Sequence, residues 1–225
     1  MPKDEFERRV RQYLLDNPEV IIGALRQYEA RKKAAELSEA LTLLQSRAAD
    51  IYRDPDSPVG GNPKGDVTLV EFFDYNCSYC RRVAPVMLDA EKDDPNLRIV
   101  YKEFPILGPN SQFAAKAALA AARQGKYLAF HKALMLAKGV ADKGNVMKIA
   151  AKVGLDTKRL KIDMESSEVQ SAIKRNLELA QALRINGTPG FVVGDQFIRG
   201  ATDLQTLKSV IQSVRKARQK NGKNN

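Results

Sequence analysis

The sequence predicts an α/β fold with a helical domain inserted into it and a helical extension in front. Three observations carry this. Val67 to Phe73 is an apolar run of strand length, and a helical stretch from about Cys77 to Glu91 separates it from a second such run at Leu97 to Phe104. Only helical signals follow from about Ser111 to Leu183, roughly seventy residues, too many for an unstructured loop in a compact domain. The first 53 residues carry apolar positions at helical spacing.

Taken in order, the extension opens with a short helix bearing Phe6, Val10, Tyr13 and Leu14 on one face. Asn17-Pro18-Glu19 reads as a helix start, with Asn17 as N-cap and Pro18 at the first helical position. Ile21, Leu25 and Tyr28 continue the stripe. Ala34, Leu37, Leu41, Leu44, Ala48 and Ile51 then alternate steps of three and four, which is heptad spacing. Such a stripe, so far ahead of the main core, predicts self-association through residues 1–53 as a dimer or trimer. The breaker-rich segment from Asp54 to Pro63 predicts a linker and a hinge.

Two strands joined by a helix imply a parallel pair with a right-handed crossover. In the insert, Ala114 to Ala122 is alanine-rich, and Gly125, Gly139, Gly144 and Gly154 punctuate the helices. Strand character returns at Gly190-Phe191-Val192-Val193, and Gly194-Asp195 before Gln196-Phe197-Ile198 suits a two-residue hairpin. A last helix begins after Asp203 as N-cap and runs to about Arg218. The domains expected are thus 1–53, a linker at 54–63, and a catalytic domain at 64–220, formed by an α/β part (64–108 and 184–218) and the insert (109–183).

Among 225 residues, 44% are hydrophobic and 28% charged, which excludes both a disordered and a membrane-embedded chain. No apolar run approaches the roughly 20 residues of a bilayer span, so no membrane insertion is expected. The first thirty residues lack the apolar centre of a secretory signal, leaving a cytosolic protein or a mature form whose leader has been removed. Net charge is +10, from 37 Lys plus Arg against 27 Asp plus Glu. The basic residues are dispersed, and their densest run (Arg215, Lys216, Arg218, Lys220, Lys223) reads as a solvated helix end, so no nucleic-acid partner is expected.

The two cysteines stand together in Cys77-Ser78-Tyr79-Cys80, where a strand turns into a helix. The thiolate is the nucleophile of thiol exchange, and a helix N-terminus favours that form through its unpaired N–H groups and dipole. Cys77 is therefore expected to be exposed and reactive, with Cys80, one turn further in, as its buried resolving partner. A structural disulfide closing so short a loop would restrict the unfolded chain little. Structural zinc needs four ligands, and the chain has two Cys and one His, with His131 in a distant helix. Cu(I) on the two thiolates stays open. Thr188-Pro189 precedes a strand, and a cis bond there would face the Thr188 backbone toward an incoming chain, as in strand addition. Glu71 and Lys102, one in each central strand, are ionisable groups in apolar runs and call for partners.

The segments Glu71 to Cys80, Tyr101-Lys102-Glu103-Phe104-Pro105 and Gly187-Thr188-Pro189-Gly190, in this order, resemble the DsbA-like thiol–disulfide oxidoreductases over about residues 60 to 218. That resemblance implies a thioredoxin fold with an inserted helical domain and a periplasmic location. It implies Cys77 as nucleophile, Cys80 as resolving cysteine, Pro189 as the cis-proline facing them with Thr188 before it, and Glu71 with Lys102 as a buried acid–base pair. Pro85 matches the helix proline of the family. Ser78-Tyr79 stands where the oxidase carries Pro-His, and Thr188 where it carries Val, which is similar to the isomerases. The extension, with Asn17-Pro18-Glu19-Val20, resembles the oligomerising arm of the ScsC and Com1-like subgroup. The implied activity is disulfide isomerisation or reduction on secreted proteins, with no metal or organic cofactor and a membrane redox partner that keeps the dithiol reduced. Net thiol oxidation, copper handling and a scaffold role for the arm are the alternatives.

Overall fold

The computed structural model describes residues 2–222 and divides into two units between Gln45 and Ser46. The first unit holds α1 (Lys3–Asp16) and nearly all of α2 (Pro18–Ser46). Asn17 does not cap α2 with its side chain. Its amide donates back to the Tyr13 carbonyl at 2.9 Å and closes α1 instead. No residue of α1 is buried, and Phe6, Val10, Tyr13, Ile21, Leu25 and Tyr28 are all exposed. The side chain of Leu37, one of the heptad positions, lies outside the described residues, as does Lys223 of the basic run.

The second unit begins with α3 (Ala48–Tyr52) and a short edge strand, β1 (Val59–Gly61). Three residues of the segment expected to be a linker, Val59–Gly61, are therefore paired in the sheet. Five glycine and proline residues obscured β1, and a three-residue strand carries no period to read. Gly61 is required there: its φ is +62°, and a Cβ would stand 2.4 Å from the Leu97 carbonyl oxygen.

The sheet continues with β2 (Val67–Phe73) and β3 (Leu97–Glu103), linked by α4 (Ser78–Asp93), then β4 (Gly190–Val193) and β5 (Gln196–Arg199). Strand order is β1-β3-β2-β4-β5, with β2 and β3 parallel and the other pairs antiparallel. β2 is buried along most of its length because both faces are covered, which is why its sequence does not alternate. Val67, Leu69 and Phe73 face the core that holds α4 and α10 (Leu204–Gly222). Asp203 caps α10, as expected, by accepting from the Thr206 amide at 2.8 Å.

The insert comprises α5 (Pro109–Ala122), α6 (Tyr127–Leu136), α7 (Lys143–Lys152), α8 (Thr157–Asp163) and α9 (Ser167–Ala182). Alanine makes α5 its hub. Ala114, Ala117, Ala118, Ala120 and Ala121 are buried, and α6, α7, α8 and α9 all touch that helix, because methyl side chains let backbones approach closely. Gly125, Gly139 and Gly154 end helices at positive φ, whereas Gly144 lies inside α7.

Candidate active site

The site is built at the end of β2, where Asp74-Tyr75-Asn76 turns the chain into α4 and leaves Cys77 as its N-cap. Each residue of this turn is fixed from outside. Asp74 Oδ2 accepts the amides of Ile106 (2.9 Å) and Leu107 (3.0 Å). Asn76 accepts the Ala141 amide at 2.8 Å and donates to Ser111 Oγ at 3.1 Å. Arg81 donates to the Tyr75 carbonyl (2.7 Å) and to the Ala137 carbonyl (2.6 Å). The insert thus grips the turn at several points, a role that helical periodicity alone could not disclose.

Cys77 Sγ accepts the Cys80 amide at 3.4 Å and donates to the Thr188 carbonyl oxygen at 3.3 Å. The Thr188-Pro189 bond is cis, and Pro189 is buried beside the half-buried Thr188. The chain thereby brings together residues 111 positions apart. One expectation is corrected: Cys77 is 6% exposed, not open to solvent, because the Thr188 loop lies against its sulfur. Cys80 is fully buried, and that burial pushes its thiol well above the ordinary range. Both cysteines are free thiols.

Glu71 faces the same side of the sheet as Phe73, toward α4 and α6. It lines a cavity of about 20 Å³ with Ala84, Met87, Tyr101 and His131. It is 2% exposed, and burial raises its carboxyl to about 8. Lys102 does not join it. In the parallel register Glu71 stands beside Tyr101 and Phe72 beside Lys102, so the two charges point to opposite faces. Lys102 Nζ instead donates to Asp54 Oδ2 (2.9 Å) and the Asp50 carbonyl (2.7 Å). The expected acid–base pair under the dithiol is thus a lone acid there, and the lysine anchors the segment before β1.

Four polar residues of the core were not singled out from the sequence as functional: Tyr75, Glu103, Tyr127 and His131, which form one hydrogen-bonded group. Burial pushes His131 down to about 3, so it is neutral. Their signal was a polar residue within or beside an apolar run, which in a single sequence looks like ordinary scatter. Around the dithiol, Tyr79, Ile106, Leu107 and Val140 are exposed, and the Arg82 guanidinium lies 5.2 Å from the Tyr79 ring centroid. Among the described residues no group of three or more His, Cys, Asp or Glu gathers as a metal site would, and no helix is long and apolar enough to cross a membrane.

Comparison with known proteins places this geometry. Residues 68–212 match the DSBA-like thioredoxin domain family, and residues 3–35 match the copper resistance protein ScsC N-terminal domain. A thioredoxin-like oxidoreductase from Silicibacter pomeroyi DSS-3 is 51% identical and superposes with a TM-score of 0.74, over 75% of this chain and 97% of that one. Proteus mirabilis ScsC in a transitional conformation is 29% identical with a TM-score of 0.72, covering 94% of this chain and 96% of its own. The thiol:disulfide interchange protein DsbA of Bordetella parapertussis is 28% identical over 166 residues, 68% of this chain and 76% of that protein. The chain also matches Na(+)/H(+) antiporters, among them NhaA 3 of Salinispora tropica, and spans only 25% of that protein's length.

Proposed function

The chain belongs to the DsbA-like thioredoxin family of thiol–disulfide oxidoreductases, and we propose that it is a periplasmic protein disulfide isomerase and reductase working through Cys77 and Cys80. The observation that carries this reading is the position of Cys77 Sγ at the helix N-cap, between the Cys80 amide and the Thr188 carbonyl. The Cys80 N–H offers a thiolate on Cys77 a hydrogen-bond donor. The Thr188 carbonyl accepts the hydrogen bond of the Cys77 thiol and, once that proton is lost, is open to accept a client's backbone N–H in strand-like pairing.

In the cycle, the Cys77 thiolate attacks one sulfur of a client disulfide, forming a mixed disulfide and releasing the other client sulfur as a thiolate. A different client thiolate then displaces Cys77, which completes isomerisation with no net redox change. Alternatively, Cys80 loses its proton to the ionised form of Glu71, whose share grows as pH approaches about 8, and attacks Cys77. The client leaves as a dithiol, and the Cys77–Cys80 disulfide must be reduced by a thiol-based membrane partner. The exposed Tyr79, Ile106, Leu107 and Val140 suit clients that are incompletely folded and show apolar side chains.

The uncovered apolar positions of α1 and α2 support assembly of two or three copies through the N-terminal unit, which gathers several dithiols around one client. Reactivation of scrambled ribonuclease tests both parts. The full chain is expected to reactivate it, and a chain lacking residues 1–45 to sediment as a monomer and lose isomerase activity while still reducing a small disulfide. Equal isomerisation by the truncated chain would remove the arm from the mechanism. A redox potential near about −120 mV, that of the strongly oxidising DsbA, would turn the reading to net oxidation.

A further inference from the structure

Beneath the redox turn lies a group of polar side chains that the exchange cycle does not use. Glu103 closes β3 and is 1% exposed. Its Oε1 accepts the hydroxyls of Tyr75 (2.9 Å) and Tyr127 (2.8 Å), and Tyr75 Oη lies 3.0 Å from His131 Nδ1. Its other oxygen, Oε2, is buried without a hydrogen-bond partner. Phe73, Tyr101 and Tyr127 press on the His131 ring, and all four members of the group are buried.

Such a group costs stability that a leucine or phenylalanine in the same space would not. Proton bookkeeping shows that it is nonetheless consistent. Each tyrosine has one proton to give, so when both point to Glu103 Oε1, His131 must donate from Nδ1 to Tyr75. Burial raises the Glu103 carboxyl well above its ordinary range, toward the neutral form. A neutral carboxyl presents Oε1 as a carbonyl acceptor to both tyrosine hydroxyls and carries its own proton on Oε2, the oxygen without a partner.

The group meets the reaction at Tyr75, two positions before Cys77. Asp74 and Asn76 tie the turn sideways to residues 106–107, Ser111 and Ala141. Tyr75 alone of the three reaches down into the core, where its hydroxyl is held, while Arg81 holds its carbonyl. Cys77 N–H in turn donates to the Asp74 carbonyl at 3.1 Å, so the height of the turn over the core sets the height of the sulfur. We propose that Glu103 is a positioning residue for Cys77: by gripping the Tyr75 hydroxyl it fixes the turn that places Sγ between the Cys80 amide and the Thr188 carbonyl. This rests on Cys77 being the nucleophile.

The test compares the full chain with Glu103→Leu, Glu103→Gln and Tyr75→Phe. Three readouts are taken: the alkylation rate of Cys77 by iodoacetamide at pH 7, the equilibrium with glutathione, and the circular dichroism melt. Leucine removes the acceptor, glutamine keeps a carbonyl at Oε1, and phenylalanine removes the gripped hydroxyl while keeping the ring. Glu103→Leu and Tyr75→Phe are expected to slow alkylation and shift the glutathione equilibrium toward the disulfide by about fivefold, the equivalent of one hydrogen bond, with Glu103→Gln within about twofold of the parent. Parental rates in folded Glu103→Leu and in Tyr75→Phe would overturn the proposal, as would a Glu103→Gln protein as slow as the leucine variant. Should Glu103→Leu fail to fold, Tyr75→Phe and Glu103→Gln decide by the same criteria. A parent chain whose Cys77 does not exchange with glutathione at all would instead overturn the nucleophile assignment itself.

Discussion

Glu71 gives the most quantitative handle on the site. It is a carboxyl beneath the dithiol that burial raises from 4.5 to about 8. The unfolded chain ionises it above about 4.5, whereas the folded chain keeps its proton up to about 8. Between those values the folded state binds the extra proton, so stability falls as pH rises through the window. At ~1.36 kcal/mol per pH unit the loss reaches about 5 kcal/mol by pH 8. His131, pushed down from 6.5 to about 3, acts in the opposite sense: the unfolded state binds its proton between those values, and stability rises with pH there. The two slopes offset one another from about 4.5 to 6.5, and the raised Glu103 carboxyl adds a slope of the same sign as that of Glu71, so the wild-type curve alone does not isolate Glu71. Replacing Glu71 by Gln keeps the shape and removes only one titration. Urea unfolding of the reduced parent and variant should show a stability difference that moves in the variant's favour by ~1.36 kcal/mol per unit from pH 4.5 to 8, then levels off. A difference that stays constant with pH would refute the claim that Glu71 is held neutral by burial.

Only the ionised form of Glu71 can take the Cys80 proton, so closure of the Cys77–Cys80 disulfide from the mixed disulfide should quicken with pH up to about 8 in the parent and lose that dependence in Glu71→Gln, with little change in Cys77 alkylation; stopped-flow release of a client thiol separates the two steps. Asp54→Ala leaves the buried Lys102 ammonium without its carboxylate and should cost about 3–5 kcal/mol, whereas Lys102→Met should be close to neutral, both by urea unfolding. Because Lys102 faces away from the dithiol, the glutathione equilibrium of Lys102→Met should match the parent's.

Much of this was legible in the residues. The long strands β2 and β3, the crossover helix and the hairpin all announced themselves through length, burial and turn chemistry, and the C-x-x-C spacing at a helix start named the reacting atoms. What escaped has a common physical cause. β1 is too short to show a period, and Glu71 and Lys102 differ by one residue in register, which sends neighbours to opposite faces of a sheet. Pairing them needed the register, and the sequence does not print it. Likewise Tyr75, Glu103 and His131 lie on three separate elements, so their hydrogen bonds exist only after those elements are packed.

The division of labour between the two thiols can be tested by trapping. Cys80→Ala removes the resolving sulfur and should accumulate a covalent adduct with a disulfide-bearing peptide, which mass spectrometry locates on Cys77. Cys77→Ala should form none under the same conditions. An adduct that forms on Cys80, or none in the Cys80→Ala protein, would contradict the account.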